Sequence, residues 1–171
     1  MERVWAFDLL AVTMRRVDFL DPALVGRPDV RERGVRVEVK PLRTQVQGSV
    51  YASDVLTLDQ ALCRLDFLES GPHKADRMHW HPEMSGGEPG ERTFDAGMPA
   101  DPRGWLTRFL RRGLRDYLSE RGHDVGALGV DLAAISDTAD ELARALDEGL
   151  AWAREPWPDV EHDARGMAVA G

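Results

Sequence analysis

Apolar and charged residues alternate at Val35-Arg36-Val37-Glu38-Val39-Lys40, the period-two pattern of a strand with one buried and one wet face. Pro41 follows, and a residue without an N–H is expected to end the ladder. Leu10 to Phe19 is rich in β-formers and carries no helix cap, which predicts a first strand. Val4, Phe7, Ala11 and Met14 also fit a helical spacing there. Between these strands, Asp21 to Gly34 holds Pro22, Gly26, Pro28 and Gly34 and reads as a connecting loop. Gly48 to Leu56 gives a third, weaker strand, antiparallel to the second.

Thr57-Leu58-Asp59-Gln60 fits a capping box, so a helix is expected to start there. Ala61, Leu62, Leu65 and Leu68 would line one side of it, and Gly71-Pro72 would stop it. A competing reading makes Cys63 to Glu69 a strand, because Arg64 and Asp66 alternate with apolar neighbours. That strand would form a hairpin with Met78 to His81. In the second half Asp101-Pro102 supplies an N-cap and a proline at the first helical position. Leu106, Phe109, Leu110, Leu114, Tyr117 and Leu118 then form a continuous apolar stripe ending near Gly122. A last helix runs from about Asp131 or Asp137 to Arg154, with Leu142, Leu146 and Leu150 inward, and Pro156 and Pro158 end it.

Strands first and long helices last imply an α+β fold: an antiparallel sheet of about three to five strands in the N-terminal half, with two long amphipathic helices of the C-terminal half packed on one face. A length of 171 residues suits one core. Residues 1–155 are read as a single globular domain and 156–171 as a loosely ordered C-terminal tail.

Charge and cysteine content narrow the chemistry. With 30 acidic against 22 basic side chains the formal charge is −8, which opposes general binding to nucleic acid or an anionic membrane. The N-terminus lacks a basic segment followed by a long apolar core, and no stretch approaches a membrane span, so a cytoplasmic location is expected. Cys63 is the one cysteine, which removes internal disulfides and cysteine-rich zinc sites. Any metal must be held by His and carboxylates. Only Lys40 and Lys74 accompany the arginines, a bias of GC-rich coding rather than of phosphate binding.

Three of the five histidines, His73, His79 and His81, fall within nine residues. His81 precedes Pro82, which drives it out of the helical region. An extended Met78-His79-Trp80-His81 then sends Met78 and Trp80 toward the core, and His79 and His81 together to the other side. Two imidazoles on one face begin a metal site, and with one carboxylate they leave positions open for water, oxygen or substrate. Glu83 is the nearest carboxylate, yet positions 79 and 83 lie about 13 Å apart on a straight strand. His73 brought back by a turn, or a carboxylate elsewhere such as Glu38 or Asp95, are the other candidates for a third ligand. Against the metal reading stands a plainer one, two surface imidazoles around a buried Trp80, satisfied by backbone or by Asp76 and Glu83. Metal-free acid–base work by one His is a third.

His-x-His on a strand also opens the motif of the cupin β-barrels, which continues with a glutamate and a glycine. Those positions hold Ser85 and Gly86 here, the earlier glycine is His73, and no second-motif histidine follows. The chain is not read as a cupin. Ser85 to Arg92 is glycine-rich but lacks the Lys-Ser/Thr ending of a P-loop and carries two acids. It is read as a surface turn, or as a flap beside the histidines. Cys63, between Leu62 and Leu65, reads as core packing rather than as a nucleophile. Arg108, Arg111, Arg112 and Arg115 recur at helical spacing opposite the apolar stripe. This ridge is either a partner-binding surface or a solvated face near Asp137, Asp140, Glu141, Asp147 and Glu148.

The leading expectation is a small cytoplasmic protein that binds a divalent metal, Zn or Fe, through a His-x-His half-site, with metal-dependent catalysis on a small-molecule substrate left open. The alternative is a non-catalytic interaction module working through the Arg ridge or through self-association as a homo-oligomer.

Overall fold

The computed structural model describes residues 2–21, 30–46, 48, 54–165 and 168–169. The fold is α+β, as the patterning predicts. Strands β1 (Glu2–Ala6), β2 (Leu10–Leu20), β3 (Arg31–Val46), β4 (Asp54–Leu58), β5 (Cys63–Glu69) and β6 (His79–His81) form a six-stranded sheet in the order β1-β2-β3-β5-β6, with β4 also paired to β3. All of these pairings are antiparallel. Short strands β7 (Met84–Ser85) and β8 (Glu88–Pro89) make a hairpin directly after the sheet. A helical turn α1 (Gly97–Ala100) leads into a rod built of α2 (Pro102–Arg108), a π-helical turn (Phe109–Gly113) and α3 (Leu114–Glu120), and then into the long α4 (Gly129–Ala153). Two-residue strands β9 (Glu161–His162) and β10 (Ala168–Val169) pair near the C-terminus.

The two long helices lie where the apolar stripes predict. The Asp101 side chain accepts a hydrogen bond from the Gly104 N–H and Pro102 occupies the first turn, the predicted cap. Gly122, at φ 77°, turns the chain after the rod. The π-helical turn within the rod is not visible in the stripe. α4 begins slightly before the expected Asp131, whose buried carboxylate accepts from the Leu9 and Leu10 N–H groups at 2.7 and 2.6 Å. The start of the helix is thereby pinned to the β1–β2 turn.

Several expectations are corrected. The sheet has six strands rather than about three to five, because Glu2–Ala6 adds an edge strand before the expected first one, Leu10–Phe19, which is part of β2. The capping box at Thr57 starts no helix: Thr57 and Leu58 close β4, and Cys63–Glu69 is a strand whose partners are β3 and β6. The competing hairpin with Met78–His81 is the one that forms. Pro41 does not end its strand either. It stands opposite Leu10 at the last β2 pair, where β3 leaves β2 and β5 and continues alongside β4. A proline fits a point where the ladder changes partners because no donor is called upon. Part of the predicted third strand, residues 49–53, and most of the predicted loop, residues 22–29, lie outside the described residues.

The sheet has two unlike faces. Val12, Met14, Val35, Val37, Val39, Cys63, Leu65, Phe67 and Trp80 meet the helices. Trp80 stacks edge-on against Phe109 and Tyr117, with ring centroids at 5.8 Å in both cases. Gly149 lets α4 lie close on β3, since a Cβ there would stand 2.4 Å from Val35 Cγ2. Burial drives the Cys63 thiol up to about 12, so it remains an uncharged packing group. The opposite face carries Arg36, Glu38, Arg64, Asp66, His79 and His81 in register. Among the described residues, no helix is long and apolar enough to cross a membrane.

Candidate metal centre

Strand alternation and pairing register assemble the site. In the β5–β6 ladder Asp66 stands opposite His79, Arg64 opposite His81 and Leu65 opposite Trp80. Trp80 therefore points into the aromatic core while the flanking histidines turn to the polar face, as the Pro82 argument predicts. Asp66, His79 and His81 are 1%, 2% and 3% exposed.

Hydrogen bonds fix the rings. His79 Nδ1 donates to the Arg77 carbonyl at 2.8 Å, and His81 Nδ1 donates to the Gly90 carbonyl at 2.7 Å. A carbonyl only accepts, so each neutral ring carries its proton on Nδ1 and a lone pair on Nε2. The two Nε2 atoms face one another at 3.1 Å, with Asp66 Oδ2 at 3.6 Å from His79 Nε2 and 3.8 Å from His81 Nε2. Two lone pairs cannot hydrogen-bond to each other. A cation placed between them would satisfy both, as would a shared proton, whereas Arg64 Nη2 approaches His81 Nε2 at 3.5 Å. Burial opposes the proton, pushing His79 down to about 4 against the pull of the Arg77 carbonyl and Asp66. Burial also lowers His81, while its bond to the Gly90 carbonyl acts the other way. Both rings are neutral at pH 7, the form in which imidazole binds a metal.

The three donor atoms thus form a buried group able to hold a metal ion. Their separations are near the roughly 3–3.5 Å edges produced by metal–ligand bonds of about 2.0–2.2 Å. Asp66 is held in turn by Arg36, whose Nε lies 2.7 Å from Oδ1 and Nη2 3.3 Å from Oδ2. Arg64 Nε stands 3.2 Å from Oδ2, and its Nη2 comes within 3.5 Å of His81 Nε2. Orientation of the His rings by carbonyls and of the carboxylate by Arg36 resembles the outer-shell support of metal ligands.

Above the group is a cleft of about 650 Å³. Its far wall includes Glu88 to Arg92, so the glycine-rich segment does lie beside the histidines. Gly86 and Gly87, at φ 60° and 85°, make the β7–β8 turn, a conformation that glycine adopts without strain. Gly90 follows, donating its N–H to the Glu83 carbonyl and offering its own carbonyl to His81.

The other sequence-predicted ligands lie apart from these three atoms. Glu83 is exposed and its carboxylate faces Arg121 at 3.4 Å, in keeping with the strand-rise objection. His73 sits exposed in the turn after β5 at φ 64°, its N–H donating to Glu69. Glu38 pairs with Lys40, and Asp95 accepts from Trp105 Nε1 and the Gly97 N–H. The third donor is Asp66, which the helical reading of residues 57–70 hid. The signal that finds it is the alternation of Arg64 and Asp66 with apolar residues. On the ridge, Arg111 pairs with Asp140 of α4 at 2.8 Å and Arg108 with Asp101 at 3.3 Å, while Arg112 and Arg115 are exposed. No protein-family profile, curated protein or solved structure matches this chain.

Proposed function

We propose that the protein binds a divalent metal, Zn²⁺ or Fe²⁺, through His79 Nε2, His81 Nε2 and Asp66 Oδ2, and uses it on a small molecule held in the cleft. The observation that carries this reading is the 3.1 Å approach of two imidazole nitrogens whose protons are committed elsewhere. Two imidazoles with one carboxylate suit Zn²⁺ and Fe²⁺, and three protein ligands leave further positions for water, oxygen or substrate. A metal bound there would supply Lewis acidity or an activated water. The Arg ridge is better read as solvated surface, because Arg108 and Arg111 already have carboxylate partners.

Metal analysis of protein prepared without a histidine tag or chelator tests the reading, together with titration of Zn²⁺ and of Fe²⁺ under anaerobic conditions. A single equivalent is expected in the wild type and none in His79→Ala/His81→Ala. Asp66→Asn is expected to weaken binding by about 10- to 100-fold. Metal content indifferent to the double substitution would refute the proposal.

A further inference from the structure

The same cleft holds a carboxylate that accepts no hydrogen bond within the fold and lies outside the three-atom centre. Glu32 projects from β3 on the face that carries Arg36, and it lines the cleft with Asp66 and both histidines. It is 1% exposed, and neither of its carboxylate oxygens has a hydrogen-bond partner. Arg77 Nε stands 3.7 Å from Oε1, too far for a hydrogen bond. A buried carboxylate with this one long ion pair on Oε1 and no hydrogen bond on either oxygen is a rare and destabilising arrangement in a folded protein, and it calls for a donor.

The charges around it indicate which donor. Arg36 and Arg64 are engaged by Asp66, which leaves Arg92 on the lining and Arg77 at Glu32 Oε1 against Asp21, Glu32, Glu88 and Glu91. Arg92 itself faces Asp21 at 3.7 Å. Burial first, and Asp21 second, raise the Glu32 carboxyl above its ordinary range, with Arg92 and Arg77 acting against them. An anionic ligand group at this end would add to the repulsion, and a cationic one would relieve it. Glu32, Arg36, Asp66 and both histidines line one continuous cleft, so a ligand held at Glu32 can reach the centre. The four residues from Glu32 to Arg36 span roughly 13 Å of backbone.

We propose that Glu32 is the second anchor of the cleft, accepting an N–H from the primary amine of a small molecule whose other end reaches the Asp66/His79/His81 centre. The two-ended part of this assignment rests on the metal reading. The amine part does not.

Two titrations separate them. Metal-loaded protein is titrated with ω-aminoalkanohydroxamates of increasing chain length and with the amine-free alkanohydroxamates of the same lengths, the hydroxamate serving as metal grip. Chelator-treated protein is titrated with n-butylamine by NMR. At one or more lengths the amine is expected to tighten binding about tenfold, the scale of a charge-assisted hydrogen bond. Glu32→Gln should abolish that advantage and the butylamine shifts near β3, while leaving the affinity for the amine-free hydroxamates unchanged. Hydroxamate binding with no amine advantage at any length, or an advantage that survives Glu32→Gln, overturns the proposal. Protein that takes up no metal yet shows Glu32-dependent butylamine shifts instead overturns the metal reading and leaves the amine site standing. Because Glu32 makes no hydrogen bond and its ion pair to Arg77 is a long one, Glu32→Gln, which keeps an oxygen facing that guanidinium, should melt close to the wild-type temperature. A lowered Tm with the amine advantage intact would mark Glu32 as structural and overturn its role in recognition.

Discussion

At the scale of single residues, the histidines are set by what their other nitrogens touch. His79, with a folded-state value of about 4 against the ordinary 6.5, binds a proton more readily when the chain is unfolded. Unfolding therefore takes up a proton between about pH 4 and 6.5, and stability rises with pH across that window. The metal-free protein is expected to be most stable above about pH 6.5 and to lose stability as the pH falls toward 4. Urea midpoints measured through this range should show the slope, and His79→Gln should flatten it. Arg36 is the residue that makes a buried Asp66 tolerable. Arg36→Met leaves that carboxylate with Arg64 alone and should cost about 2–3 kcal/mol in urea unfolding, less than the full penalty of an unpaired buried charge. Much at this scale is legible in the sequence. Pro82 restricts His81, alternation puts His79 beside it, and strand rise sets Glu83 aside. Asp66 is harder to read, since its partners lie on β3 and β6 and no spacing along the chain records which strands become neighbours.

Among the elements, β5 shows why local pattern misleads. It is buried on both faces, every residue but the half-buried Arg64 being covered, and a strand covered on both sides loses the clean alternation that β3 displays. Ala61, Leu62, Leu65 and Leu68 then fit a helical stripe equally well. The exposed-helix signals of α2 and α4 have no such rival and place those helices well. Pairing between β3 and β5 imposes a requirement at Gly34, where a Cβ would stand 2.1 Å from the Phe67 carbonyl oxygen and 2.9 Å from Leu68 Cα. Backbone cannot yield as a side chain does, so Gly34→Ala should cost about 3 kcal/mol or more and shift the floor of the cleft. Gly149→Ala meets a valine methyl instead. Its cost should be smaller, and Val35→Ala should relieve it, giving a coupling of about 1 kcal/mol in a double-mutant cycle.

Taken whole, the molecule divides its labour between the two sides of one sheet. The helices cover an apolar side, which is the part most legible in the sequence because two amphipathic stripes and an alternating strand all require it. The charged side emerges only when register brings Arg36, Asp66 and His79 into one row. Since the three candidate ligands come from β5 and β6 and their supports from β3 and the segment after the β7–β8 hairpin, a bound ion would tie these elements together. It should stabilise the folded state by about 2.7 kcal/mol at a hundredfold excess over Kd, roughly 5–10 °C in Tm for a chain of this size. Calorimetry with and without Zn²⁺ checks this, and a chelator should reverse it. The position of Trp80 adds a practical consequence. It is covalently flanked by both histidines but its indole lies on the far side of the strand, within the group formed with Trp105, Phe109 and Tyr117. An absorbing ion such as Co²⁺ on the one side would drain the emission of the fluorophore on the other, so the protein carries a built-in optical gauge of occupancy.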